Sequence, residues 1–124
     1  MPHYAGSCHC GGVRFELDAV IEKVVDCNCS ICSKKGILGF RVQPADFRLL
    51  SGDALLGTYQ FGTRIAKHHF CTRCGIHTFT RPRAAPELYS VNLRCLEGVD
   101  LAAFSDRIVK FDGQHWEQAV AQLR

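Results

Sequence analysis

The sequence has no long hydrophobic run. No stretch of its 124 residues approaches the roughly 20 apolar residues needed to span a bilayer. The opening segment, Met1-Pro2-His3-Tyr4-Ala5-Gly6-Ser7, lacks the apolar block of a secretory signal. There is no linker, no low-complexity tract and no repeat at the solenoid scale. A basic tail or dense Lys/Arg run of the kind that nucleic-acid binding uses is also missing. These absences argue against a membrane partner and a nucleic-acid partner. The expectation is one soluble, cytoplasmic domain over residues 1–124, large enough for one hydrophobic core.

What the sequence has in excess is cysteine, with eight residues. A disulfide framework and metal ligation compete to explain them. Disulfide scaffolds belong to secreted chains, and their partners usually lie far apart in sequence. Here seven of the eight cysteines fall into three tight clusters, which favours metal. Metal also changes the charge. A zinc held by four thiolates carries a net charge of about −2, and one held by three thiolates and a water about −1. Loading one of each cancels the formal charge of +3 and removes the hint of an anionic partner.

The pattern is mostly β, in short segments punctuated by glycine. Val13–Leu17 alternates apolar and polar residues as a half-buried strand does. Lys23–Asp26, Ile37–Val42, Ile65–Phe70, Ile76–Thr80, Leu88–Leu93 and Ile108–Phe111 are further strand candidates. Phe47–Leu50 and Leu55–Phe61 read as a hairpin about the turn signal Ser51-Gly52-Asp53. Ser30–Lys35 suits a helical turn closed by Gly36, with Ile31 buried. Trp116–Leu123 has helical spacing, and Phe40, Phe61, Phe70 and Phe79 are expected in the core.

The first cluster is Cys8-His9-Cys10-Gly11-Gly12. In an extended segment residues two apart point to the same side, so Cys8 and Cys10 can present two sulfurs to one ion. The last cluster, Cys71-Thr72-Arg73-Cys74-Gly75, has the C-x2-C-G form of a zinc knuckle. A knuckle supplies two ligands where structural zinc takes about four. Cys8 and Cys10 complete the set with Cys71 and Cys74. The middle cluster, Cys27-Asn28-Cys29-Ser30-Ile31-Cys32, offers three sulfurs within reach of one ion. Three protein ligands and an open position mark catalytic zinc, and four mark structural zinc. Cys95 leaves two readings open. It folds back and closes the middle cluster, or it is a buried small hydrophobe within Leu93-Arg94-Cys95-Leu96.

At these clusters the sequence resembles the glutathione-dependent formaldehyde-activating enzyme family, which includes centromere protein V relatives. The matching strings are Gly6-Ser7-Cys8-His9-Cys10-Gly11-Gly12-Val13-Arg14-Phe15, then Cys27-Asn28-Cys29-Ser30-Ile31-Cys32, then Phe70-Cys71-Thr72-Arg73-Cys74-Gly75. The resemblance implies a mainly β zinc β-tent built from short antiparallel sheets, with a short C-terminal helix. It implies two zinc ions: a structural one at Cys8, Cys10, Cys71 and Cys74, and a catalytic one at Cys27, Cys29 and Cys32 with an exchangeable fourth position. It favours Cys95 as a non-ligand. The family's founding activity joins formaldehyde to glutathione, giving S-hydroxymethylglutathione, and is classed as a carbon–sulfur lyase.

Other residues near the clusters have two readings each. Lys34 and Lys35 follow the middle cluster and can meet the carboxylates of glutathione, or they are solvated helix-end lysines. Of His68 and His69 one should point inward and one outward, and either is a proton shuttle or zinc ligand, or else a surface or hydrogen-bonded structural histidine. His9 is expected to face away from the metal, and His77 to be structural. Asp26 and Asn28 either orient the middle site or are turn residues. For the whole chain, an enzyme on a thiol and a small aldehyde competes with a non-enzymatic zinc module binding a protein or nucleic acid. A metal- or redox-sensing role for the thiolates is a third reading.

Overall fold

Alternation in Arg14-Phe15-Glu16-Leu17-Asp18 puts Phe15 and Leu17 on one face, both fully buried, and Glu16 and Asp18 on the other. In the computed structural model, which describes residues 1–123, this segment is strand β2 (Arg14–Asp18). It is the centre of a three-stranded antiparallel sheet with β1 (His3–Ser7) and β5 (Phe47–Ser51). Seven strands form a second sheet. Across it run β10 (Ile108–Phe111), β3 (Val24–Cys27), β4 (Leu38–Val42), β9 (Tyr89–Asn92), β8 (His77–Arg81), β7 (Lys67–Cys71) and β6 (Leu56–Tyr59). All neighbours are antiparallel except β10 and β3, which run parallel. Several 3-10 turns link these strands, and the described chain has two short α-helices, α1 (Cys32–Lys35) and α2 (Trp116–Leu123). Neither is long and apolar enough to cross a membrane.

Phe47 joins the two sheets. Its ring lies 5.4 Å from that of Phe15 on the small sheet, and 5.0 and 4.4 Å from those of Phe79 and Tyr89 on the large one. Burying each such ring contributes roughly 1.5–3 kcal/mol. The core face of the large sheet carries Phe40, Val91 and Phe79 directly opposite one another, with His69 next in the row. One residue further along each strand the direction reverses, as the β period of two requires. There Arg41, Ser90, Thr80 and His68 form a second row on the other face.

Most strand positions follow the sequence patterns to within two residues, and Gly36 closes α1 at φ 66°. Three expectations change. The segments read as a hairpin belong to different sheets, with β5 paired to β2 and β6 paired to β7. Gly52, at φ 88°, turns the chain between them, and the Leu55 carbonyl accepts bonds from the Thr72 amide (2.8 Å) and hydroxyl (2.7 Å), drawing that stretch to the knuckle. Phe61 is 42 % exposed and Phe70 only half-buried, so neither joins the core, and Ile31 is half-buried because one turn of helix lacks an inner face. Strand β1 has no apolar alternation to reveal it. Its pairing is reinforced by His3, which meets Glu16 and Asp18 across the ladder, with Arg48 bridging the same two carboxylates from β5.

Candidate metal centres

The knuckle and the first cluster meet. Cys8, Cys10, Cys71 and Cys74 bring their sulfurs within 4.8 Å of one another. A tetrahedral zinc held at about 2.3 Å by each sulfur separates neighbouring sulfurs by about 3.8 Å. Cys8 Sγ to Cys10 Sγ is 3.5 Å and Cys10 Sγ to Cys71 Sγ is 3.7 Å, so the donors fit that ion. Backbone hydrogen bonds set the geometry. The Val13 amide donates to Cys8 Sγ at 3.3 Å, and the Gly75 amide donates to the Cys71 carbonyl at 2.8 Å, with Gly75 at φ 79°. Cys8 and Cys71 are buried with Val13, while Cys10 faces solvent. Burial opposes ionisation of Cys74, but hydrogen bonds from the amides of Cys10 and Ile76 and from neighbouring thiols outweigh it and bring its pKa to about 6. A thiol so disposed is ready to ligate.

The middle cluster also converges. Cys27 ends β3, Cys32 begins α1, and with Cys29 their sulfurs lie within 4.8 Å of one another. The Cys29 amide donates to Cys27 Sγ and the Cys32 amide to Cys29 Sγ, each at 3.4 Å. Hydrogen bonds from the Cys27 and Cys32 thiols, then amides of Cys32 and Ile31, draw the Cys29 pKa far below the usual thiol value despite its burial. Cys29 in turn pushes the Cys27 thiol upward, and Cys27 and Cys29 together push Cys32 upward. Three thiols at this spacing do not all ionise unaided, and a divalent cation among them removes that conflict. The donor set therefore fits a thiophilic ion such as zinc.

Among the described residues no fourth Cys, His, Asp or Glu joins this trio. Cys95 is in the core instead. Its thiol donates to the His77 carbonyl at 3.4 Å, and the Asn92 side-chain amide lies 3.7 Å from its sulfur. Burial pushes its pKa up to about 11. Of the two readings of Cys95, the buried small hydrophobe is the one the fold adopts. Cys95→Ala is expected to leave the bound-metal stoichiometry unchanged and to cost about 1–2 kcal/mol, the usual size for a small core truncation, read from a urea midpoint and metal analysis.

The three sulfurs open onto a cleft of about 1130 Å³. The row Arg41, Ser90, Thr80 and His68 lines it on one side. The loop after β10 forms another wall. Asn28 ties that loop down: its side chain donates to Asp112 Oδ1 and accepts from the Gln114 amide, both at 3.1 Å. Gly113 lies so close that a Cβ there would stand 2.6 Å from Cys27 Sγ and from Cys29 Cβ. Asp26, by contrast, forms an exposed 3.4 Å pair with Lys110. The cleft's cations are Lys23, Arg41, Arg83 and Lys110, against a single lining carboxylate, Glu22. Arg83 stacks its guanidinium 3.7 Å from the centre of the Trp116 ring.

Lys34 and Lys35 are not among the lining residues. Lys34 and Lys35 are both exposed, and Lys35 reaches across to donate to His77 Nδ1 at 3.1 Å, with Phe70 beneath it. His77 is buried and its Nε2 donates to Thr80 Oγ1 at 2.9 Å. Burial, then the Lys35 charge, lowers its pKa to about 3, so it is a neutral structural residue. His69 bonds Thr58 through Nδ1 at 3.0 Å, and His9 is exposed. Of the histidines named from the sequence, His68 is the one that reaches the cleft. The sequence reading missed Gly113 and the four cations. No linear signal marks them, because strands distant in sequence bring them together: β10 beside β3 for Lys23, Lys110 and Gly113, and β4 and β8 on either side of β9 for Arg41 and Arg83.

Fold and sites together define a mainly β protein with one closed four-thiol cluster and one open three-thiol cluster. Comparison with known proteins agrees with that class. The profile of the glutathione-dependent formaldehyde-activating enzyme family matches residues 3–111, and the chain belongs to this family. A relative from Halomonas elongata, named "Putative glutathione-dependent formaldehyde-activating enzyme", is 34 % identical over 92 residues. That match takes in 67 % of this chain and 59 % of the relative's length. A crystal structure of a Rhodobacter sphaeroides protein is similar at 39 % identity and a TM-score of 0.78, covering 84 % of this chain and 97 % of the other.

Proposed function

We propose that the protein is a zinc enzyme that joins a small aldehyde to a thiol, with formaldehyde and glutathione as the pair the family suggests and S-hydroxymethylglutathione as the product. This is carbon–sulfur lyase chemistry. The observation that carries the reading is the open trio of Cys27, Cys29 and Cys32 on the wall of a large cleft. Cys8, Cys10, Cys71 and Cys74 hold one zinc as a structural staple, and the trio holds a second. At such a site zinc lets a thiol deprotonate near neutral pH and polarises a carbonyl.

The chain's own residues do the rest. Lys23, Arg41, Arg83 and Lys110 draw an anionic thiol such as glutathione, with its two carboxylates, toward the cleft. Lys34 and Lys35, proposed for that task from sequence, are poorly placed for it, since neither lines the cleft. Asn28 and Asp112 hold Gly113 against Cys27 and Cys29 and fix the direction in which the sulfurs face. Apolar side chains including Ile31, Val109 and Phe111 limit the water beside the reacting atoms. The binding-module reading needs two closed four-cysteine sites, and the place of Cys95 beside Asn92 weighs against it.

The test is the rate of adduct formation with two equivalents of zinc bound, measured against formaldehyde and glutathione alone, because the two combine without a catalyst. A rate well above that background is expected. A rate equal to it, with both ions bound, overturns the reading.

A further inference from the structure

His68 stands apart from every other histidine of the site. It lies on β7 in the cleft-facing row with Arg41, Ser90 and Thr80, on the same cleft as Cys27, Cys29 and Cys32. It is 6 % exposed, yet its Nδ1 is buried with no hydrogen-bond partner among the described residues. An unpaired buried polar atom has lost its hydrogen bonds to water and gained none in return. Native folds seldom retain one, and such a group calls for an explanation. The neighbours hold the ring in place without giving this buried atom a partner. Phe61 stacks on it at 5.7 Å, and His77 lies 6.1 Å away, tilted. His77 itself is locked, with Lys35 on Nδ1 and Thr80 on Nε2, and so does not reach out to pair with His68.

We propose that His68 is a catalytic residue that moves the proton of the thiol–aldehyde addition. As the thiol sulfur attacks the carbonyl carbon, a C–S bond forms and the C=O π pair moves onto oxygen. The proton lost by the thiol must end on that oxygen. His68 accepts it from the sulfur through Nε2, the ring nitrogen not sealed in the interior, and returns it to the oxygen, so the ring is unchanged over the cycle and no other reactant is needed. Accepting a proton requires a neutral imidazole at rest. Burial, then the Lys35 ammonium, keeps His68 neutral, against an opposing pull from Cys29. His69 cannot substitute, because it occupies the core-face row and is bonded to Thr58. This role rests on the proposed thiol–aldehyde reaction and adds to it the group that carries the proton.

The experiment uses the zinc-loaded full chain and two variants. His68→Gln keeps size and polarity but cannot relay a proton. His68→Ala leaves a space that free imidazole can enter. Both are expected to bind the wild-type complement of metal. kcat/KM should fall about 100-fold, the usual contribution of a positioned acid–base group, with the loss in kcat rather than KM. Added imidazole should restore His68→Ala by about tenfold and leave His68→Gln unmoved. A reading that needs no variant comes from the nitrogen-15 resonances of the wild-type rings, where formaldehyde and glutathione together should shift His68 and not His69. An active wild type whose His68→Gln variant keeps full kcat, or whose His68 resonance is unmoved, overturns this role alone. A wild type at the background rate overturns the reaction and this role with it.

Discussion

Cys71→Ser is expected to remove one of the two metal ions proposed for the thiol clusters and to leave a chain that is largely unfolded at room temperature. Cys71 is fully buried and lies against Cys8 and Val13 in a small cluster of its own, separate from the main core. That cluster is where the corner between β1 and β2 of the small sheet meets the turn between β7 and β8 of the large one. It is a second junction of the two sheets, beside the main core that Phe15, Leu17 and Phe47 share with the large sheet. Structural zinc in small domains has an apparent binding energy of roughly 10–16 kcal/mol. A domain's whole stability is about 5–15 kcal/mol, so the ion's contribution is comparable to the total. A serine oxygen is a poor replacement for a thiolate, and it would stand unpaired where the metal was. Metal analysis and thermal melts decide the matter. A variant that keeps both ions, or melts near the wild-type temperature with one, would show that this cluster is not the staple.

Cys29→Ser should have the opposite profile, with fold retained and chemistry lost. The middle trio contributes nothing to the main core, and no residue of α1 is buried. The melting temperature is therefore expected to move by only about 5 °C, corresponding to roughly 1 kcal/mol. Metal content should fall from two ions to one, and adduct formation should return to the uncatalysed rate. The loss should be at least about 100-fold, because removing even the outer partners of a metal site costs 10–100-fold. Circular dichroism, metal analysis and the background-corrected assay give the three readings. Unchanged turnover in a folded, one-metal protein would remove the trio from the reaction. The contrast between the two variants is the sharper test, since it predicts that two cysteines differ in kind although both belong to thiol clusters.

Much of this was legible in the sequence for a local reason. Ligands two or three residues apart are constrained by the backbone that joins them, so Cys8 with Cys10, Cys71 with Cys74, and the trio from Cys27 to Cys32 could be read from spacing. Strand alternation worked for β2 because one face of that strand is fully buried and the other bears charge. It failed for β1, whose partner-making residues are Tyr4, Ala5, Gly6 and a histidine. The pairing of β5 and β6 was misread because a turn signal at Gly52 says that the chain bends, not which sheet each arm will enter.

By itself the sequence determined the family, the mainly β class and the short-range cysteine groupings, Cys8 with Cys10, Cys71 with Cys74, and Cys27 with Cys29 and Cys32. Only the tertiary structure decided that Cys95 lies in the core and that Lys35 turns to His77. It alone brought Lys23, Arg41, Arg83 and Lys110 to the cleft with the trio. It also set His68 on the cleft face of the sheet and His69 on the other. The division follows from range. Ligand spacing and strand alternation are written within a few residues of chain. A cleft is made where strands distant in sequence pair, and the register of that pairing decides which side chains face it.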